Sequence, residues 1–132
     1  MKKKLTIEQR VGIAAQKILY EKKYISAIDL FVGMNLLDES HMNKWRKGEI
    51  PYLEKVIQIN LNKISKAMKF LKVYAMSKSL RPSITIYNKR TKGIKKLLRF
   101  SKSGNPSIEK AYSTHWISPI LNKDNQENLN NS

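Results

Sequence analysis

Between Pro51 and Ser79 the apolar residues Leu53, Ile57, Leu61, Ile64, Met68, Leu71 and Ala75 recur every three or four positions, the spacing that lines one face of an α-helix. The sequence therefore predicts one long amphipathic helix over this stretch, with the rest of the chain packed around it. At about 100° per residue, Lys55, Lys66 and Lys69 fall opposite the apolar stripe, and Lys63 and Lys72 flank it. A lysine-rich back on a buried helix is ordinary solvation. The distribution of acids is not ordinary. After Glu54 no Asp or Glu occurs until Glu109, although that interval holds fourteen Lys and Arg. Soluble surfaces normally mix both signs, so this pattern points to a polyanion as partner.

The remaining composition narrows the class. The 132 residues suit one domain with a real core, and 41% hydrophobic content with five Gly and four Pro excludes a low-complexity chain. A net charge of +16 makes nucleic acid or an anionic surface the default partner class. With no cysteine, thiolate metal sites, disulfides and cysteine nucleophiles are excluded. The lysines at the start are followed by Glu8, Gln9 and Arg10 rather than by an apolar export segment, and no run of eighteen apolar residues occurs. A cytoplasmic protein with no membrane partner is expected.

Read in order, Thr6 and Gln9 have capping-box spacing, and Ile7, Val11, Ala14, Ala15, Ile18 and Leu19 continue with helical period, predicting a first helix from Ile7 to Lys22. Ser26 and Asp29 repeat the cap signature ahead of an apolar second helix reaching toward Leu37. Gly33 marks either its end or a close packing contact. Asp38, Glu39 and Ser40 supply N-cap candidates for a short helix over His41–Lys47 ended by Gly48, and Pro51 reads as the first residue of the long helix.

The run WRKGEIPYLEKVIQI, residues 45–59, resembles the stretch of Cro/C1-type repressors where the recognition helix ends and the next helix begins. That resemblance implies DNA binding, with Met42 to Arg46 presented to the major groove. The spacing from Gly33 to Trp45 is longer than the family's compact turn, and the helix before it is more apolar than the family's second helix. The whole pattern also resembles an uncharacterised group of small basic bacterial proteins, which implies no function. Trp45 either plugs the core or stacks on a base; Arg46 and Lys47 face solvent or phosphate.

From Arg81 to Gly104 the chain holds eight Lys and Arg and no acid. Ile84 and Ile86 alternate with Thr85 and Tyr87 as in a strand, and Leu97, Leu98 and Phe100 form a second short run after Gly93. A basic hairpin near residues 83–101 is expected; the alternative is a short helix from Pro82 to Asn88 followed by a basic loop. In either case Lys89, Arg90, Lys92, Lys95, Lys96, Arg99 and Lys102 are candidates for phosphate neutralisation, together with Arg81. Ser103, Gly104 and Asn105 precede a proline-started helix, over Pro106–Trp116, whose N-terminus is a candidate phosphate site or simply a capped turn. No nucleotide-binding glycine motif is present.

His41 and His115 are the two histidines, and neither has a ligand at metal spacing. The acids Glu8, Glu21, Asp29, Asp38, Glu39, Glu49 and Glu54 lie in the first half, where Asp38 and Glu39 beside His41 form a local cluster better suited to capping than to catalysis. No cofactor, metal or catalytic residue is expected. Residues 122–132 are polar and Asn-rich, predicting a disordered tail after a single basic domain over 1–121. The expectation is a mainly α protein that grips nucleic acid non-enzymatically, DNA ahead of RNA. The alternatives are an accessory subunit docking on an acidic partner and, further off, a metal-dependent nuclease. A homodimer through the Leu53–Ala75 stripe is compatible with this pattern.

Overall fold

The computed structural model describes residues 4–90 and 96–119. Helix α1 spans Ile7–Lys22 and opens with the expected capping box, in which Thr6 and Gln9 satisfy each other's backbone N–H groups. Val11, Ala14, Ala15 and Ile18 are buried on one face. The helix ends where Lys23 turns left-handed and its N–H bonds the Leu19 carbonyl. Strand β1 (Tyr24–Ile25) follows, and Ser26 then caps α2 by accepting from the Asp29 N–H.

Helix α2 covers Ala27–Gly33 and stops short of Leu37. Asn35 adopts positive φ there, and the carbonyls of Phe31 and Val32 accept from Leu36, Leu37 and Asn35. The apolar residues after Gly33 still reach the core: Met34, Leu36 and Leu37 are buried in the turn. Asp38 caps α3 (Glu39–Arg46), and beyond its C-cap Lys47 the chain turns at Gly48, whose φ of 78° is left-handed.

The single helix expected over Pro51–Ser79 is two elements. Leu53–Val56 is a 3₁₀ turn, and α4 begins only at Leu61 and runs to Ser77. The cause is competition for backbone donors. Leu53 and Glu54 N–H bond the carbonyls of Arg99 and Phe100, and the Gln58 N–H bonds the Leu36 carbonyl at 2.7 Å. Asn60 then starts a fresh helix by capping the Lys63 N–H. Leu53, Ile57, Ile64, Leu71 and Ala75 are buried as the stripe requires, joined by Ala67, whereas Leu61 is 56% exposed. Helix α4 packs along α1.

Strand β2 (Arg81–Ile84) pairs with β3 (Thr114–Ile117), and β3 also pairs with β1, all antiparallel. Two expectations change here. Ile84 and its neighbours pair with β3 rather than with residues 97–100, so the expected hairpin shrinks to a bridge between Asn88 and Leu97, supported by Tyr87–Leu98 and Lys89–Lys96 backbone bonds. The last helix, α5 (Pro106–Ser113), stops short of Trp116, because Thr114 to Ile117 form a strand with partners on both sides. Edge position in β2 tolerates Pro82, which has no N–H to donate. The expected tail, 122–132, lies outside the described residues.

An aromatic cluster ties α3, α5 and the segment from Tyr87 to Phe100. Trp45 is fully buried, with ring centroids 4.9 Å from Phe100 and 5.9 Å from Tyr87, and Phe100 stacks on Tyr112 at 5.2 Å. Such pairs stabilise beyond the area they bury.

Candidate nucleic-acid interface

The C-terminal end of α3 is where distant cations meet. The Arg90 N–H bonds the Arg46 carbonyl at 2.8 Å, and the Lys89 N–H bonds the Lys96 carbonyl at 2.8 Å. The Lys89 stem lies over Gly48, where an added Cβ would come within 2.5 Å of Lys89 Cε. Arg46, Lys47, Lys89, Arg90 and Lys96 are thus brought around one turn. Among the described residues none of the five has a carboxylate within 4 Å, whereas Lys22 pairs with Asp29 at 3.0 Å. Burial, and after it the charge of Arg90, lowers the Arg46 pKa from its ordinary value. The carbonyl dipoles at the C-terminal end of α3 favour the positive charge gathered there, while the two guanidinium groups repel each other.

The α3 residues Met42 to Arg46 are not uniformly outward. Trp45 is in the core, Met42 is half-buried against it, and Arg46 lies with its guanidinium carbon 4.7 Å from the Tyr87 ring centroid. Asn43 and Lys44 are exposed.

Arg99 and the segment after it are used internally. The Arg99 guanidinium donates to the carbonyls of Ser101 and Lys102 and passes 3.4 Å from where a Gly104 Cβ would stand. The Gly104 and Asn105 N–H groups of the candidate phosphate site are already bonded. Asn105 Oδ1 accepts from the N–H groups of Ser107 and Ile108, Ser103 Oγ accepts from the Asn105 N–H, and Ser101 Oγ accepts from the Gly104 N–H. Two carboxylates fill the remaining places: Glu109 accepts from the N–H groups of Phe100 and Ser101, and Glu54 from the Lys102 N–H and the Tyr112 hydroxyl. Ser103, Gly104 and Asn105 thus lie in a capped turn, beside two carboxylates that take the N–H groups of the three residues before them.

The α4 lysines Lys63, Lys66, Lys69 and Lys72 are exposed, as are Lys55 on the 3₁₀ turn, Arg81 on β2 and Lys102. Lys92 and Lys95 lie outside the described residues. Between α4 and α5 runs an apolar groove of about 730 Å³ lined by Leu61, Met68, Ile108 and Tyr112, with Lys102 at its edge.

Beside the α3 cluster is a cavity of about 330 Å³ with Tyr24, Asp29, Arg46, Ile86, Tyr87 and His115 among its lining residues. Tyr87 Oη and His115 Nε2 share a hydrogen bond of 2.6 Å, and His115 stacks on Tyr24 with centroids 5.4 Å apart. Burial lowers the His115 pKa and raises that of Tyr87 to about 12, so both are neutral at neutral pH. Arg46 Nε is buried with no hydrogen-bond partner. Sequence reasoning missed this constellation, because β1, α2, α3, the segment after β2 and β3 each contribute one or two members. Tyr87 and His115 are 28 positions apart, and no local spacing marks them.

Among the described residues no three His, Asp or Glu side chains converge as a metal site, and no helix is long and apolar enough to cross a membrane. No protein-family model matches the chain, nor does any curated protein or solved structure.

Proposed function

We propose that this protein binds nucleic acid through the sugar-phosphate backbone, without catalysing a reaction on it. The observation that carries this reading is the gathering of Arg46, Lys47, Lys89, Arg90 and Lys96 around the Gly48 turn with no carboxylate within 4 Å among the described residues. Cations left unpaired by their own protein are neutralised by an external anion. On a chain of net charge +16 a polymeric anion gains most, since each phosphate contact releases condensed counterion. Lysine and arginine contacts of this kind position a protein on the backbone and leave base sequence largely unread. The exposed lysines of α4 add long-range attraction. In sequence, residues 45–59 resemble Cro/C1-type repressors, which puts DNA ahead of RNA, although a 3₁₀ turn at Leu53–Val56 stands where that family's next helix begins.

Titrating a fluorescent DNA duplex at several salt concentrations tests this. The expected result is an affinity that falls steeply with salt, with structured RNA of equal length competing less well. Affinity indifferent to salt contradicts it.

A second reading has one observation in its favour. The apolar groove between α4 and α5, lined by both Lys102 and Glu54, suits the apolar face of an amphipathic segment of an acidic partner protein, for which this chain would be an accessory subunit. Association that persists after complete nuclease digestion distinguishes it.

A further inference from the structure

The cavity beside the α3 cluster is built for something flatter and less charged than phosphate. Its volume of about 330 Å³ lies at the low end for ligand sites and admits one small planar group. Planar surfaces line it: the stacked rings of Tyr24 and His115, the Tyr87 ring, and the Arg46 guanidinium lying over that ring. Arg46 Nε is buried without a partner, and the Asp29 carboxylate, whose Oδ1 accepts from Lys22, also lines the space.

Arg46 belongs to both sites. Its carbonyl holds Arg90 into the cationic cluster while its side chain forms part of the cavity lining. Ile86, 72% exposed, also borders the cavity. A strand whose phosphates rest on the cluster therefore passes beside an opening lined by aromatic rings and flanked by an exposed aliphatic side chain.

We infer that this cavity receives one unpaired nucleobase from the strand whose phosphates occupy the Arg46–Arg90 cluster, so that the ligand is single-stranded where it crosses the site. This rests on the backbone-binding reading above and adds to it the state of the strand. A base inside a duplex cannot reach such a cavity unless it is extruded, at a cost in stacking and pairing. A base on a single strand is already free to stack, and stacking on aromatic side chains tolerates any base identity. Stacking on Tyr24, beside the Asp29 and Arg46 side chains that also line the space, holds the base while the cluster holds its phosphates.

The test compares a thymidine oligomer with an oligomer of equal length whose residues are all abasic, so that phosphate number is constant. At one salt concentration the native protein is expected to bind the abasic strand roughly tenfold more weakly, as loss of one base stack requires. Tyr24→Leu is expected to abolish that difference while binding the abasic strand as the native protein does, which also shows that the variant is folded. If Tyr24→Leu does not fold, Ile86→Ser, at an exposed position, carries the same test. Equal affinity of the native protein for both strands overturns the inference and leaves backbone binding standing. A base preference that survives in the folded variants overturns it as well. No binding to either strand or to duplex overturns both readings.

Discussion

The indole Nε1 of Trp45 donates a hydrogen bond to the carbonyl oxygen of Arg99 across 2.7 Å. One side chain thereby closes the core and fixes the segment that carries Phe100 against α3. Because Trp45 is fully buried among Phe100 and Tyr87, Trp45→Ala is expected to destabilise the fold by about 3–5 kcal/mol. Trp45→Phe, which keeps most of the ring and loses the donor, should cost less. Urea unfolding of the two variants checks the order; a negligible loss in Trp45→Ala would contradict the packing described.

Glu109 tests the self-capped turn. Its carboxylate accepts from two backbone N–H groups and from Ser101 Oγ, and removing it strands partly buried donors. Glu109→Ala is expected to destabilise by about 2–4 kcal/mol, and added phosphate should not restore the loss. Recovery of stability by millimolar phosphate would show that the turn accepts an external anion after all.

Gly48 links backbone conformation to the basic cluster. Its positive φ, with the Lys89 stem packed against it, makes Gly48→Ala strained by about 1–3 kcal/mol and forces Lys89 aside. Thermal unfolding should register the first effect, and weakened binding to nucleic acid the second.

Stability is expected to fall at both ends of the pH scale. Burial lowers the folded-state pKa of His115, with Arg46 and Lys22 adding to the effect and Asp29 opposing it. The unfolded chain then takes up a proton first, so stability is lost as pH drops below the ordinary value of 6.5. Tyr87, raised from 10.0 to about 12 by burial, acts at the other end. The unfolded phenol ionises first, and stability falls as pH rises from 10 toward 12. Tyr112, raised by burial and by its bond to Glu54, adds to the alkaline loss. Melting temperatures measured across pH should decline on both sides of a neutral plateau, and His115→Gln should flatten the acid limb.

Much of the local structure was legible because it is governed by neighbours in sequence. The capping box of Thr6 and Gln9, the Ser26 cap and the Asn105–Pro106 start of α5 all lie where their residue types place them. The break before α4 was not legible, since the groups that divert the Leu53–Gln58 backbone are the carbonyls of Leu36, Arg99 and Phe100. The strand at His115 was hidden for the same reason: β1 and β2 supply its partners. Arg99 illustrates the limit for candidate site residues. Its charge is visible in sequence, but its use as a brace for the Ser101 and Lys102 carbonyls depends on a turn that only the fold defines.

The salt dependence of binding, compared between the native protein and the triple variant Lys47→Ala/Lys89→Ala/Arg90→Ala, bears most directly on the account. Each phosphate contact contributes about −0.9 on duplex DNA, or about −0.7 on a single strand, to the slope of log affinity against log salt. The native protein is expected to show a steep negative slope, and the variant a slope shallower by roughly two to three with its melting temperature unchanged. Equal slopes for the two proteins would place the phosphate contacts elsewhere and contradict the role assigned to the α3 cluster.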